Sequence, residues 1–470
     1  MLLLAAVTAA PAAAGTACEE IGSGPTETCE AWEVRFDHQN ADPAEPAGDF
    51  ANAVALSPDG STVFVTGRVR RSSVDMDVVT AAYDASTGTQ RWTTVWGGPG
   101  YDFGMAIAVS PDGEAVYVGA PTELENQFSY DTIAYDAATG EERWRVSYPT
   151  GLSPIVVSLA VAPDGGVIVA HASNGGFATA ALEPEDGGER WLARWDGGEG
   201  DDTPFSIAVG TTTDEDGLTR STVYVTGRTE DAPFSSRWDA ATLAYDAASG
   251  EQRWAATWGG SGDEQARDLA VTPDGRRLVI AGWAGGASEA SGYDAAALAY
   301  NTDTGALAWS DRYDGPSSNI DQGFALALSP DGSLAFVAGQ SYSVRTNLDP
   351  VGRLHDAQGL LLAYEVGTGG RAWTVRHDGG PGMVSSFGDV VVHPSGSRVY
   401  GAGVSRTAGV TAAYDARSGA AIWLVRHGGA TGTVGAPTDM AAAPDGRRVF
   451  VVGDWIGSNW YDMVTMAYEA

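Results

Sequence analysis

Carboxylates recur at two fixed places along this chain. Asp49, Asp102, Asp202, Glu264 and Asp321 each open a short alternating segment, and Asp77, Asp131, Asp239, Asp294, Asp356 and Asp462 each open another further along the same stretch. The first series breaks at Pro154, Ser385 and Gly435. Gathered around one mouth, such groups have the chemistry to hold calcium, which takes about six to eight oxygen ligands, or to draw in cations. The plainer reading is that an acid at the head of a strand accepts loop amides and stays in water, and that repetition copies it. Glycoside hydrolysis needs a carboxylate pair about 5–9.5 Å apart, which spacing alone does not supply.

Two other residue types could do chemistry. His377 and His427 hold equivalent places in successive repeats. Zinc takes two or three such imidazoles in a site, but no third ligand follows at their spacing, so packing is the expectation. Arg68, Arg70, Arg71, Arg228, Arg237, Arg345 and Arg353 sit in or beside loops of variable length. They either offset local acidity or grip a carboxylate or acidic glycan through the two-pronged guanidinium. The chain contains no lysine, which removes Schiff-base and phosphate-loop chemistry. There is no G-x-S-x-G elbow, and no Ser-His-Asp set can be assembled.

The elements that carry these residues repeat. Trp92, Trp144, Trp191, Trp254, Trp309, Trp373 and Trp423 each follow a glycine by four residues and a Tyr or Leu by nine. Examples are AYDASTGTQRW (82–92), AYDAATGEERW (134–144) and AYDAASGEQRW (244–254). An eighth copy begins at MAYEA (466–470) without its tryptophan, and Trp32 in AWEVRF (31–36) supplies it. A period of this length indicates a propeller or solenoid. Each repeat reads as four antiparallel strands. The first two are joined by a Pro-Asp-Gly turn such as Pro58-Asp59-Gly60 and the last two by a Thr-Gly turn. The expected fold is therefore all-β: an eight-bladed β-propeller closed by the N-terminal strand completing the last blade. Blades are expected at approximately 49–97, 102–149, 154–197, 202–259, 263–314, 321–379, 387–428, and 435–470 plus 31–38. The acidic stretch 211–222 reads as an insertion within one blade. Position four after each tryptophan is aromatic or imidazole: Phe36, Trp96, Tyr148, Trp195, Trp258, Tyr313, His377 and His427.

The run A-x-D-x-x-T-G-x-x-x-W resembles the tryptophan-docking motif of the quinoprotein-like, PQQ-binding-like eight-bladed propellers. DFANAVALSPDGSTVFVTG is also similar to the bacterial extracellular β-propeller repeats. The first resemblance implies that Trp32, Trp92, Trp144, Trp191, Trp254, Trp309, Trp373 and Trp423 each stack on the next blade near its motif glycine. It also implies an alternative activity, oxidation of an alcohol or sugar with pyrroloquinoline quinone and calcium. Its dehydrogenases carry two adjacent cysteines under the quinone and, in several members, C-x-x-C-H; this chain has neither. A third resemblance is to the propeller lipoprotein of outer-membrane assembly. Gly15-Thr16-Ala17 before Cys18 lacks the aliphatic residue of a lipid-attachment site.

Residues 1–14 read as the apolar part of a signal peptide and 15–30 as an N-terminal segment, leaving 31–470 as one domain. Export permits Cys18 and Cys29, the only cysteines, to form a disulfide. The net charge of −34 argues against nucleic acid, and nothing is long enough to span a bilayer. The expectation is an exported, monomeric, non-catalytic propeller presenting loops to a protein, glycan or small ligand. No cofactor is expected, though the carboxylate rim could take calcium.

Overall fold

The computed structural model describes residues 19–20, 30–36, 48–72, 74–124, 127–150, 157–173, 175–198, 200–213, 217, 219–230, 237–260, 262–285, 292–316, 319–342, 357–377, 385–405, 408–427, 436–456 and 461–470. Cys18, Cys29, Arg345, Arg353, Asp356, Pro154 and Gly435 lie outside them. The described residues contain strands and turns and no helix. They form eight antiparallel sheets, seven of them built on four consecutive strands and the eighth on the last three strands with Glu30–Phe36. In the seventh sheet the short strand Glu19–Glu20 adds a fifth beside Ala421–His427. This is an eight-bladed β-propeller, as the repeat requires.

The chain sorts into two compact units. Residues 1–155, 407–412 and 422–470 form one, and residues 156–406 and 413–421 form the other. In the first, Glu30–Phe36 pairs antiparallel with Tyr461–Glu469 and completes the last blade, Trp32 lying opposite Ala467. Both ends of the sequence therefore share one sheet.

The last hairpin of each blade is nearly invariant because its tryptophan is seated on the next blade. The Trp92 indole N–H donates to the Ala137 carbonyl at 2.9 Å, Trp191 to Ala247 at 2.9 Å and Trp254 to Thr302 at 2.7 Å. The same ring covers the turn glycine: a methyl group on Gly140 would stand 2.6 Å from two Trp92 ring atoms. Gly140 also has φ +73°, where only glycine is at ease. Trp92 is 8 % exposed. Burying about 150–250 Å² per tryptophan is worth roughly 4–6 kcal/mol of gross hydrophobic stabilisation, an upper bound.

First strands of successive blades contact one another within each unit, which makes them the innermost. They carry the device that positions the functional side chains. In the second unit, register slips between Pro204 and Ser206, Ala266 and Asp268, Gly323 and Ala325, and Phe387 and Asp389. In the first it slips between Ala51 and Ala53 and between Pro437 and Asp439. Each slip is a β-bulge, an extra residue left out of the ladder and aimed on its own. The bulged residues are Asn52, Phe205, Arg267, Phe324, Gly388 and Thr438. A bulge pushes a first-strand carbonyl against the second strand. A methyl group on Gly282 would overlap the Gln265 carbonyl oxygen, and one on Gly227 the Thr203 carbonyl oxygen. That contact accounts for the glycine closing each V-T-G or A-G run of the second strand.

Next to the bulge, polar side chains tie neighbouring blades. The Asp268 carboxylate accepts the Leu326 amide at 2.7 Å, the Ser206 hydroxyl at 2.9 Å and the Leu269 amide at 2.8 Å. Asp439 likewise accepts the Val54 amide at 2.7 Å. The acidic stretch 211–222 turns out to lengthen two strands, Thr203–Thr213 and Thr219–Glu230, which stay paired out to Thr213 and Thr219.

Candidate functional site

The first series of acids is buried. Asp49, Asp102, Asp202, Glu264 and Asp321 are each at most 2 % exposed, against the solvated state expected of strand-opening carboxylates. Four of them hold the link from the preceding blade. Asp102 accepts the Gly98 amide at 2.8 Å and the Glu123 amide at 3.2 Å. Asp202 accepts Gly197 at 2.7 Å, and Asp321 accepts Gly315 at 2.8 Å. Glu264 accepts Gly260 at 3.2 Å and faces Arg312 at 3.4 Å. The acceptance of loop amides is as read from the sequence; the exposure is not, because the glycine-rich link folds over the carboxylate.

The second series meets the first at these links. Gly97 lies against both Asp77 and Asp102, and Asp77 forms an ion pair with Arg71. Asp131 accepts the Ser147 hydroxyl at 2.5 Å. Asp239 lies against Gly259, Asp294 is half-buried, and Asp462 is 4.0 Å from Arg35. Among the described residues, no three of His, Cys, Asp or Glu converge as a metal site. His427 is buried against Trp455, with its Nε2 2.7 Å from the Tyr468 hydroxyl, and His377 packs on Phe387.

Burial governs how these acids titrate. It raises Asp77 to about 6 against the pull of Arg71, and Asp321 to about 6 against hydrogen bonds from Ser341 and Gly315. Asp454 is raised by burial to about 6, with Arg68 opposing. Turn carboxylates go the other way: the Ser57 hydroxyl and the Ser61 amide lower Asp59 to about 2, and Ser329 and Ser333 do the same for Asp331. The native state thus keeps protons on Asp77, Asp321 and Asp454 that the unfolded chain has released, so their contribution to stability falls as pH rises from about 4 through about 6. Below about 4 stability falls as the turn acids protonate. Burial also lowers His171 and His427 to about 4, which opposes the carboxyl trend over the same range. The carboxyl contribution is therefore read by comparison: the melting temperature of Asp321→Asn should fall less than that of wild type between about pH 4 and 6, and parallel curves contradict this.

Arg71 offsets local acidity through its ion pair with Asp77, whereas Arg68 and Arg228 are stacked on aromatic rings. Arg68 lies over Phe50, 4.3 Å from the guanidinium carbon to the ring centroid, and over Phe103 at 5.1 Å. Phe50 in turn meets Tyr461 at 5.2 Å and Phe103 meets Tyr101 at 6.1 Å. Tyr101, Tyr461, Val74 and Met105 are four of the five exposed large apolar residues described, and all belong to this unit. In the other unit, Arg228 stacks 3.6 Å from Trp238 and 5.7 Å from Phe205. Arg267 stacks 4.2 Å from Phe205 and 5.5 Å from Trp283, which meets Phe324 edge-on at 6.2 Å. Trp238, Arg228, Phe205, Arg267, Trp283 and Phe324 thus form one unbroken rail across three blades. Sequence reasoning singled out Arg68 and Arg228 but not the aromatic residues or Arg267. The signal was present as a position, three residues after each strand-opening acid, whose residue type changes from blade to blade.

A groove of about 1390 Å³ lies in the second unit between turns such as Asp274–Arg277, Asp331–Ser333 and Gly367–Thr368. Its acids and hydroxyls are occupied within their own turns, Thr272 with Asp274 at 2.6 Å and Ser329 with Asp331 at 2.6 Å.

Fold and site together define a propeller of PQQ-like repeats. The chain belongs to the PQQ_2 family, described as outer membrane protein assembly factor BamB, whose model matches residues 29–228 and 239–453. Among solved structures it resembles the Dos1 propeller, with 12 % identity over 93 % of this chain and 94 % of that one and a TM-score of 0.56. It is also similar to the quinohemoprotein alcohol dehydrogenase ADHIIG of Pseudomonas putida HK5, at 16 % identity, 94 % and 76 % coverage and a TM-score of 0.57. Sqt1 of Chaetomium thermophilum matches at 14 % identity, 91 % and 96 % coverage and a TM-score of 0.57. These likenesses are of fold alone. No curated protein sequence matches the chain.

Proposed function

We propose that this protein is an exported binding propeller of the cell envelope or its exterior, which recognises a ligand or partner without transforming it. The observation carrying the reading is the bulge series. One backbone position, repeated blade after blade, displays Asn52, Phe205, Arg267, Phe324, Gly388 and Thr438. An invariant frame with unlike side chains at its bulges suits recognition, where rigid elements support the contact residues. General acid–base chemistry instead needs titratable groups free to exchange protons with a substrate. Asp102, Asp202, Glu264 and Asp321 are engaged with backbone amides. A family described as an outer-membrane assembly factor agrees with a scaffolding role and an envelope location.

The quinone-dependent alternative calls for oxygen ligands gathered around calcium. Among the described residues no three of His, Cys, Asp or Glu gather in that way, and at the Gly97 link Asp77 and Asp102 meet as a pair, which favours the binding reading. The test is to incubate the purified protein with pyrroloquinoline quinone and calcium. We expect an unchanged melting temperature and no dye-linked oxidation of alcohols or sugars. A rise of several degrees accompanied by turnover would overturn the binding reading.

A further inference from the structure

Arg228 and Arg267 are hard to understand as structural residues alone. Both are half-buried, and both lean on the single ring of Phe205. Burial, and then the Arg228 charge, lower the Arg267 guanidinium. Yet neither makes a hydrogen bond or ion pair with any described residue, and the Arg228 Nε is buried without an acceptor. Glu230, Asp201 and Asp263 act on Arg228 only through their fields. Among the described residues neither guanidinium has a carboxylate at ion-pair distance, in a chain with 61 acidic residues.

Stacking accounts for part of their placement. A guanidinium over an aromatic face gains from the ring, but its N–H donors lie in its own plane and are not met by that ring. The Arg228 Nε is buried without an acceptor among the described residues, and an unmet buried donor on a charged group is costly. The unmet requirement is an acceptor carrying negative charge, with oxygens spaced for a fork of N–H groups. Trp238 and Trp283 stand at the two ends of the pair and fix the planes of both guanidiniums. Arg267 is itself a bulged residue, aimed independently of the ladder.

We propose that Arg228 and Arg267 together bind an oxyanion, seated against Phe205 between Trp238 and Trp283. The inference rests on the binding reading above and names its ligand class. The oxyanion is either the carboxylate of an acidic sugar or a free ion of phosphate size.

Calorimetric titration and thermal shift with trigalacturonate, inorganic phosphate and the neutral sugar maltotriose distinguish these sources, with sodium chloride matched for ionic strength. Wild-type protein should bind trigalacturonate or phosphate and ignore maltotriose. Tighter binding of trigalacturonate assigns the acidic sugar, and equal or tighter binding of phosphate assigns the free ion. Arg267→Gln and Arg228→Gln should each weaken binding about tenfold or more, the loss expected of one charge-assisted hydrogen bond. Without ligand, Arg267→Gln should melt no lower than wild type, because it removes a like charge. Arg276→Gln, at an exposed turn arginine, should bind as wild type does. The proposal fails if wild type responds to neither anion beyond the chloride control, or if the response survives unchanged in both Gln variants. That failure leaves the quinone assay unaffected, so the two readings fall separately.

Discussion

Deletion of residues 1–37 unfolds the protein or lowers its melting temperature by tens of degrees. The strand Glu30–Phe36 is the outer edge of the last blade, and it pairs with Tyr461–Glu469 from Tyr468 to Met463. Trp32 and Phe36 are 4 % and 3 % exposed, and the Trp32 indole donates to the Ala85 carbonyl of the first blade at 3.1 Å. Loss of two buried aromatic side chains costs about 3–5 kcal/mol each. Together these approach the whole stability of a typical domain, about 5–15 kcal/mol. The deletion also leaves an unpaired sheet edge, which invites aggregation. Circular dichroism with heating measures the effect, and an unchanged melt would show that the chain ends do not share a blade.

Gly282→Ala is among the most damaging single methyl additions to the described scaffold. The new Cβ would overlap the Gln265 carbonyl oxygen and stand within 3.1 Å of the Ala266 Cα, so the first and second strands must separate at the bulge. Backbone does not yield as a side-chain tip does, and overpacking of this kind costs roughly 3 kcal/mol or more. Gly388→Ala is the matched comparison. It is itself the bulged residue of another blade, on the first strand rather than the second, and there a Cβ meets nothing nearer than the Ala402 carbonyl oxygen at 4.0 Å. Chemical denaturation should separate the two variants clearly. Equal midpoints would mean that the bulge does not press on the second strand.

The fold was legible because its defining residues repeat at constant spacing. The nine-residue step from Tyr83 to Trp92 contains a hairpin whose length cannot change without moving the indole off Gly140. The missing eighth tryptophan likewise pointed to Trp32, and the pairing of Trp32 with Ala467 completes that blade. The carboxylates were legible only as a pattern. Asp102 and Asp321 were recognisable as strand-opening acids, but whether a link covers them depends on the path of the glycine-rich segment in three dimensions. The aromatic rail was not legible. Trp238 and Trp283 come from second and third strands, Phe205 and Arg267 from first strands, and no spacing within one repeat brings them together. A period search finds what repeats, and this rail is made of what does not.

The bulges have a practical corollary for altering selectivity. A residue excluded from the ladder contributes little to strand pairing, so its identity can change while the hydrogen-bond register stays fixed. Phe205, Arg267, Phe324 and Gly388 are therefore natural cassettes for randomised libraries, whereas Asn52 and Thr438 bond the Gly104 and Ala51 carbonyls of the next blade and are better kept. Variants drawn from such a library should differ in what they capture far more than in how they melt.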